Sequence, residues 1–189
     1  MAALAGGEVY HYHTKLTMKV RLVGWGGAWN WHADYGYWVN NGCPRGGSAM
    51  GTVMIAVDRC TPENGCLEVL RGSHKKAPIK HNLVGEQTGA DMDAVREVMK
   101  EHELVQVELE VGDACFFNSD LLHHSAQNTS PHRRYCFLVS FNRADNNPLY
   151  RHHHPQYTKL QVLPDDSILK ADPSIPVDPA VKDFMVPAS

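Results

Sequence analysis

The sequence predicts a mainly β fold: a double-stranded β-helix of the jelly-roll, cupin-like kind with one or a few helices. Three observations carry this. Short apolar or alternating segments recur along the chain, turn signals separate them, and a single stretch has convincing helical spacing. Alternation is clearest in Leu16-Thr17-Met18-Lys19-Val20-Arg21-Leu22, and again where Val105, Val107, Leu109 and Val111 interleave with Gln106, Glu108 and Glu110. That is the period of a half-buried strand.

Taken in order, the Leu16–Leu22 strand runs into a glycine-rich turn (Gly24, Gly26, Gly27) and the aromatic run Trp29-Asn30-Trp31-His32. Val53-Met54-Ile55-Ala56-Val57 reads as a buried strand. Asn64-Gly65 before Cys66-Leu67-Glu68-Val69-Leu70 is a hairpin signal, and Gly72-Ser73 breaks that strand. From about Asp91 to His102, Val95, Val98 and Met99 fall on one helical face. After the turn at Gly112-Asp113, segments Ala114–Phe117 and Tyr135–Phe141 read as two further buried strands. Beyond Pro148 the chain is proline-rich. The organisation expected is a double-stranded β-helix core over 1–150 and an extension over 151–189 that packs on it or is partly disordered.

Bulk properties narrow the possibilities. With 189 residues, 43% hydrophobic and 21% charged, the chain has the composition of an ordinary globular domain. A net charge of −3 gives no electrostatic reason to expect nucleic acid or an anionic membrane as partner. No apolar run approaches a membrane span. Five cysteines without a Cys-x-x-Cys pair argue for reduced, buried thiols in a cytoplasmic protein. Of the 12 histidines, most are expected to serve packing or solvation, including the triplet His152 to His154.

Two segments carry the chemistry. In His32-Ala33-Asp34, positions i and i+2 of a strand end face the same side, so imidazole and carboxylate can converge on one ion. The second segment holds His123-His124-Ser125 and, eleven residues past His123, Arg134. Only one of the adjacent histidines can face the site, and His123 is the candidate ligand. Two histidines and a carboxylate on one face of a metal leave open positions, the arrangement suited to non-haem iron(II) and oxygen. Arg134 opens an apolar strand, so its guanidinium is placed to grip a carboxylate from below.

These motifs together give the chain a resemblance to the phytanoyl-CoA dioxygenase family of Fe(II)/2-oxoglutarate oxygenases over nearly its full length. They are Trp31-His32-Ala33-Asp34, Asn64-Gly65-Cys66-Leu67 with Gly72-Ser73-His74, Gly112-Asp113 continuing to Phe117, and His123-x-Ser125-x-x-Asn128-x-Ser130 with Arg134. The resemblance implies Fe(II) on His32, Asp34 and His123, and 2-oxoglutarate on Arg134 with Ser125 and Lys19 close by. O2 is then the second co-substrate, and an unactivated C–H bond of a small molecule is hydroxylated with release of succinate and CO2. The aromatic stretch Tyr35-Gly36-Tyr37-Trp38 is most similar to ectoine-hydroxylase and proline-hydroxylase-like members, which makes Tyr35 and Trp38 candidate substrate contacts. Gly36 and Val39 replace an acidic residue and a histidine usual in ectoine hydroxylases, which argues against ectoine; the resemblance to the subgroup implies a free amino or imino acid as substrate. Family members usually carry a long helical segment ahead of the first strand, so a fragment or short isoform is the expectation. The competing readings are a catalytically silent fragment that binds metal or a partner, and a zinc hydrolase on the same three ligands, which leaves Arg134 idle.

Overall fold

The alternating segments become strands in the computed structural model, which describes residues 1–21, 27–76, 78–84, 87–151 and 153–171. They are β1 (Val9–Lys19), β2 (Trp29–His32), β3 (Met50–Ala56), β4 (Leu67–Leu70), β5 (His81–Val84), β6 (Gln87–Ala90), β7 (Leu104–Val107), β8 (Ala114–Asn118), β9 (His123–Ser125) and β10 (Arg134–Arg143). Helix α1 (Ala2–Ala5) precedes β1, and α2 (Asp34–Trp38) and α3 (Met92–Met99) lie between strands. Two antiparallel four-stranded sheets result, ordered β1-β10-β3-β8 and β2-β9-β4-β7, with β5 and β6 as a separate hairpin. The chain crosses from one sheet to the other after β1, β2, β3, β7, β8 and β9, which is the path of a jelly roll.

Strand period decides what faces the interior. Along β10, Arg134, Cys136 and Ser140 are buried while Phe137 between them is 38% exposed, and Leu138 packs on the inner cluster. That cluster, with Met54, Ala56, Cys60, Cys66, Leu67, Val69 and Phe117, fills the space between the sheets. A second cluster forms where Val95 and Val98 of α3 close over Trp31, Ala33, Leu70 and Leu122. Each such aliphatic side chain removed from water contributes roughly 1.5–3 kcal/mol. This places α3 directly behind the strand end that carries His32. Asp91 caps the helix, its Oδ1 accepting from the amides of Asp93 and Ala94.

Several expectations need correction. The first strand begins at Val9, well before Leu16, and ends at Lys19; a register irregularity between His11 and His13 hides its early part from a test of alternation. The end of the expected strand at Leu22 and the turn residues Gly24 and Gly26 lie outside the described residues. Asn64-Gly65 does not close a hairpin: β3 and β4 belong to different sheets. Asn64 instead ends a 3-10 turn, Pro62–Asn64, with Gly65 at φ +73°. The strand Ala114–Phe117 is not buried throughout, because β8 is a sheet edge and Phe116 is 51% exposed. On the expected helical face Val95 and Val98 are buried, but Met99 is 37% exposed. His154 is buried rather than solvated, its ring 4.6 Å from Tyr12 and 5.2 Å from His13. His152 lies outside the described residues, as do residues 172–189. The cysteines are all free, as expected.

Candidate metal centre

β2 and β9 are paired so that His32 stands opposite His123, their ring centroids 4.1 Å apart. Asp34 reaches the same point from the first position of α2, not from the strand as expected. Ala33 keeps extended geometry (φ −118°, ψ 135°), so the two-residue repeat survives the strand end and returns Asp34 to the face of His32. Asp34 Oδ1 is 3.9 Å from Nε2 of both His32 and His123. One donor atom from each of the three residues lies within 4.8 Å of the others. Separations of 3.9 Å are less than twice a metal–donor bond of ~2.1 Å, so each pair spans one ion.

Each candidate ligand is oriented from behind. His32 Nδ1–H donates to the Asn30 carbonyl at 2.6 Å, and His123 Nδ1–H to the Leu121 carbonyl at 2.9 Å. Those bonds fix the tautomer that leaves both Nε2 lone pairs aimed at the centre. Burial, and then the neighbouring His123, holds His32 well below the usual imidazole range, which favours the neutral, coordinating form. Asp34 is steered by Thr52, whose hydroxyl donates to Oδ2 at 3.1 Å and also meets Ser140 Oγ at 2.9 Å. Thr52 lay outside the sequence expectations; only its register across β3 and β10 places it here.

Beneath the triad lies a strongly cationic floor. Arg134 is 3% exposed, donates from Nη1 to Cys136 Sγ at 3.2 Å, and has a buried Nε with no partner among the described residues. Lys19, its register partner across β1 and β10, is 2% exposed. Lys19 Nζ donates to Ser125 Oγ at 2.8 Å and to the Ala126 carbonyl at 2.5 Å. Burial, reinforced by the adjacent guanidinium, pushes its pKa down to about 7. The loop above is organised by buried Asn128, whose Nδ2 donates to the carbonyls of Lys19 and His132 while its Oδ1 accepts from Ser130. Gly65 is required at this point: a Cβ there would sit 2.3 Å from the Ala126 oxygen and 3.1 Å from Lys19 Nζ. A buried guanidinium with an unused donor, next to a buried ammonium, is a site for an anion.

Triad, Ser125 and Arg134 line one small cavity of about 80 Å³, with Lys15, Trp29 and Leu138 around it. His124 also borders this cavity; its Nε2 pairs with Glu68 at 2.5 Å and its ring stacks on Trp31. A larger cavity of about 430 Å³ is bordered by Ala33 and Tyr35. The two candidate substrate contacts therefore part company. Tyr35 borders that larger space, its hydroxyl donating to the Cys43 carbonyl, whereas Trp38 is buried against Tyr10, Tyr12, Cys43 and Met50.

Comparison with known proteins agrees with this geometry. The profile of the Phytanoyl-CoA dioxygenase (PhyH) family matches residues 2–136. L-proline trans-4-hydroxylase from Streptomyces griseoviridis is 31% identical over 192 residues, covering 93% of this chain and 66% of the relative. The crystal structure of EctD from S. alaskensis with 2-oxoglutarate and 5-hydroxyectoine is 26% identical, with a TM-score of 0.65 over 77% of this chain and 48% of that one. The same enzyme with bound Fe gives 25% identity and a TM-score of 0.66, over 79% of this chain and 52% of the other. The chain thus spans about half to two-thirds of the length of these relatives. With the family profile matched over most of its length, and His32, Asp34 and His123 within reach of one ion, the chain belongs to the phytanoyl-CoA dioxygenase family of Fe(II)/2-oxoglutarate oxygenases.

Proposed function

We propose that this chain hydroxylates a C–H bond of a small amino or imino acid, using Fe(II) held by His32, Asp34 and His123 and consuming 2-oxoglutarate and O2. The observation that carries the reading is the joint placement, around one cavity, of a two-histidine, one-carboxylate cluster and a buried guanidinium whose Nε has no partner among the described residues. The donor set fits iron(II) and leaves positions open on the side away from the protein ligands. When bound, Fe(II) with 2-oxoglutarate and O2 supplies the oxidising power for C–H hydroxylation, the co-substrate leaving as succinate and CO2.

The protein's share is placement. His32, Asp34 and His123 are held by Asn30, Thr52 and Leu121 so that little reorganisation is needed when the metal arrives. Arg134, with Lys19 and Ser125, takes the distal carboxylate of the dicarboxylate and sets its reach to the metal. Trp29, Phe117 and Leu138 keep the cavity apolar around these polar anchors. Residues 1–150 are read as the catalytic core. The proline hydroxylase relative supports an imino acid as the first substrate to try. A zinc hydrolase on the same ligands has no task for the buried Arg134 and Lys19.

The test is anaerobic titration of the protein with Fe(II) and 2-oxoglutarate, watching for the metal-to-ligand absorption band, followed by succinate release on addition of O2 with L-proline or ectoine. A band that forms in the wild type and is lost in His123→Ala and Arg134→Ala supports the assignment. Turnover without 2-oxoglutarate, or no band at all, overturns it.

A further inference from the structure

Ala33 separates two of the ligands, and its own backbone is tied to a residue outside the triad. Among the described residues β2 is an edge strand paired with β9, and the amide of buried Ala33, just past its end, finds its partner outside the ladder. It donates to His81 Nε2 at 2.9 Å. The ring is fixed at its other nitrogen, where Nδ1–H donates to the Ile79 carbonyl at 2.7 Å. That bond leaves Nε2 as the acceptor, the state an amide donor requires.

The same ring presses on the helix that carries Asp34. At Gly36, two residues past Asp34, a Cβ would lie 2.2 Å from His81 Nδ1 and 2.3 Å from its Cγ and Cε1. Glycine is needed there for the imidazole to reach Ala33. His81 begins the β5–β6 hairpin, so this hairpin, an addition to the two sheets, delivers one side chain to the turn between His32 and Asp34.

We propose that His81 is a positioning residue for the metal centre: by accepting the Ala33 amide and seating against Gly36, it fixes the His32-Ala33-Asp34 turn at the spacing that lets both ligands reach one ion. This rests on the metal-centre reading above and extends it to a residue that touches neither the ion nor a ligand side chain.

The test compares the wild type, His81→Ala, His81→Gln and Gly36→Ala as full chains. Each is titrated anaerobically with Fe(II) alone against a competing chelator, and the melting temperature of each metal-free protein is recorded. His81→Ala and Gly36→Ala are expected to bind Fe(II) about tenfold more weakly. His81→Gln, whose amide oxygen can accept from Ala33, recovers most of that loss. A merely structural role predicts instead that affinity tracks the metal-free melting temperature across all four proteins, and that outcome overturns the proposal. So does a loss below about threefold in His81→Ala, or a glutamine variant no better than alanine. If His81→Ala fails to fold, the other two variants decide: weakened Gly36→Ala with near-normal His81→Gln supports the role, and any other pairing removes it. A wild type that takes up no Fe(II) defeats the metal-centre reading itself, whereas a binding wild type with unaltered variants defeats the role of His81 alone.

Discussion

Lys19 and Arg134 face one another across β1 and β10 as register partners, two buried cations of which, among the described residues, neither is paired with a carboxylate. Burying like charges side by side costs stability unless an anion completes the site. Arg134→Met is therefore expected to lower 2-oxoglutarate affinity at least about 100-fold while leaving Fe(II) affinity nearly unchanged. The same substitution should stabilise the ligand-free protein by about 1–3 kcal/mol. Calorimetric titration and thermal melting check both halves, and a destabilised variant contradicts the argument.

If Lys19 helps hold 2-oxoglutarate as proposed, its lowered pKa predicts that binding depends on pH. Burial and Arg134 bring it from 10.5 to about 7 in the folded chain; Cys66, Cys136 and Glu68 oppose that shift. A bound dicarboxylate favours the charged ammonium, so binding takes up a proton, and affinity should fall as pH rises from about 7 to 9. For the ligand-free protein the sign is opposite. Between about 7 and 10.5 the unfolded chain holds the extra proton, so stability rises with pH across that window. Lys19→Met should flatten both dependences, read from titrations in buffers of different ionisation enthalpy and from melts at several pH values.

Thr52→Val keeps the shape of the side chain but removes the hydroxyl that holds Asp34 Oδ2. A roughly tenfold loss in Fe(II) affinity is expected, since outer contacts of metal ligands typically cost 10–100-fold when removed. The absorption band should still form at saturating metal. Equal affinity in variant and wild type would show that Asp34 is held by its backbone alone.

How much of this was legible in the sequence differs residue by residue. The convergence of His32, Asp34 and His123, with Arg134 on the same cavity, was legible through type and spacing, because a two-residue repeat at a strand end transmits side-chain direction even when the strand gives way to helix α2. Thr52 and His81 carried no local signal. They reach the turn through β3 and the β5–β6 hairpin, and contacts between distant segments leave no period in the chain. The strands were legible where alternation is clean, as in β7, and obscured where β1 changes register near His13. Asn64-Gly65 misled because the same dipeptide that closes a hairpin also ends a 3-10 turn with glycine at positive φ.

Helix α3 offers a control remote from the chemistry. Asp91 Oδ1 accepts two amides at its start, and Asp91→Ala should cost about 1 kcal/mol. Chemical denaturation measures the loss, and Fe(II) affinity should stay within error of the wild type.

Gly65→Ala tests the floor by a different route. The added methyl group meets the Ala126 carbonyl and Lys19 Nζ at a backbone φ of +73°. The ammonium must shift away from Ser125, so 2-oxoglutarate affinity should drop about tenfold or more while the apo protein also melts earlier. A variant with unchanged co-substrate affinity would remove Lys19 from the anion site.

Because the β2–β9 register sets His32 opposite His123, the candidate metal site depends on chain length as much as on side-chain identity. Removing a single residue from the Ser119–Leu122 connection would slide His124 into the inward place and turn His123 outward, with every ligand codon intact. Natural or engineered length changes should therefore be tolerated in the loops on the far rim of the barrel and be silencing in this one connection, a pattern that a deletion scan would display without any point substitution.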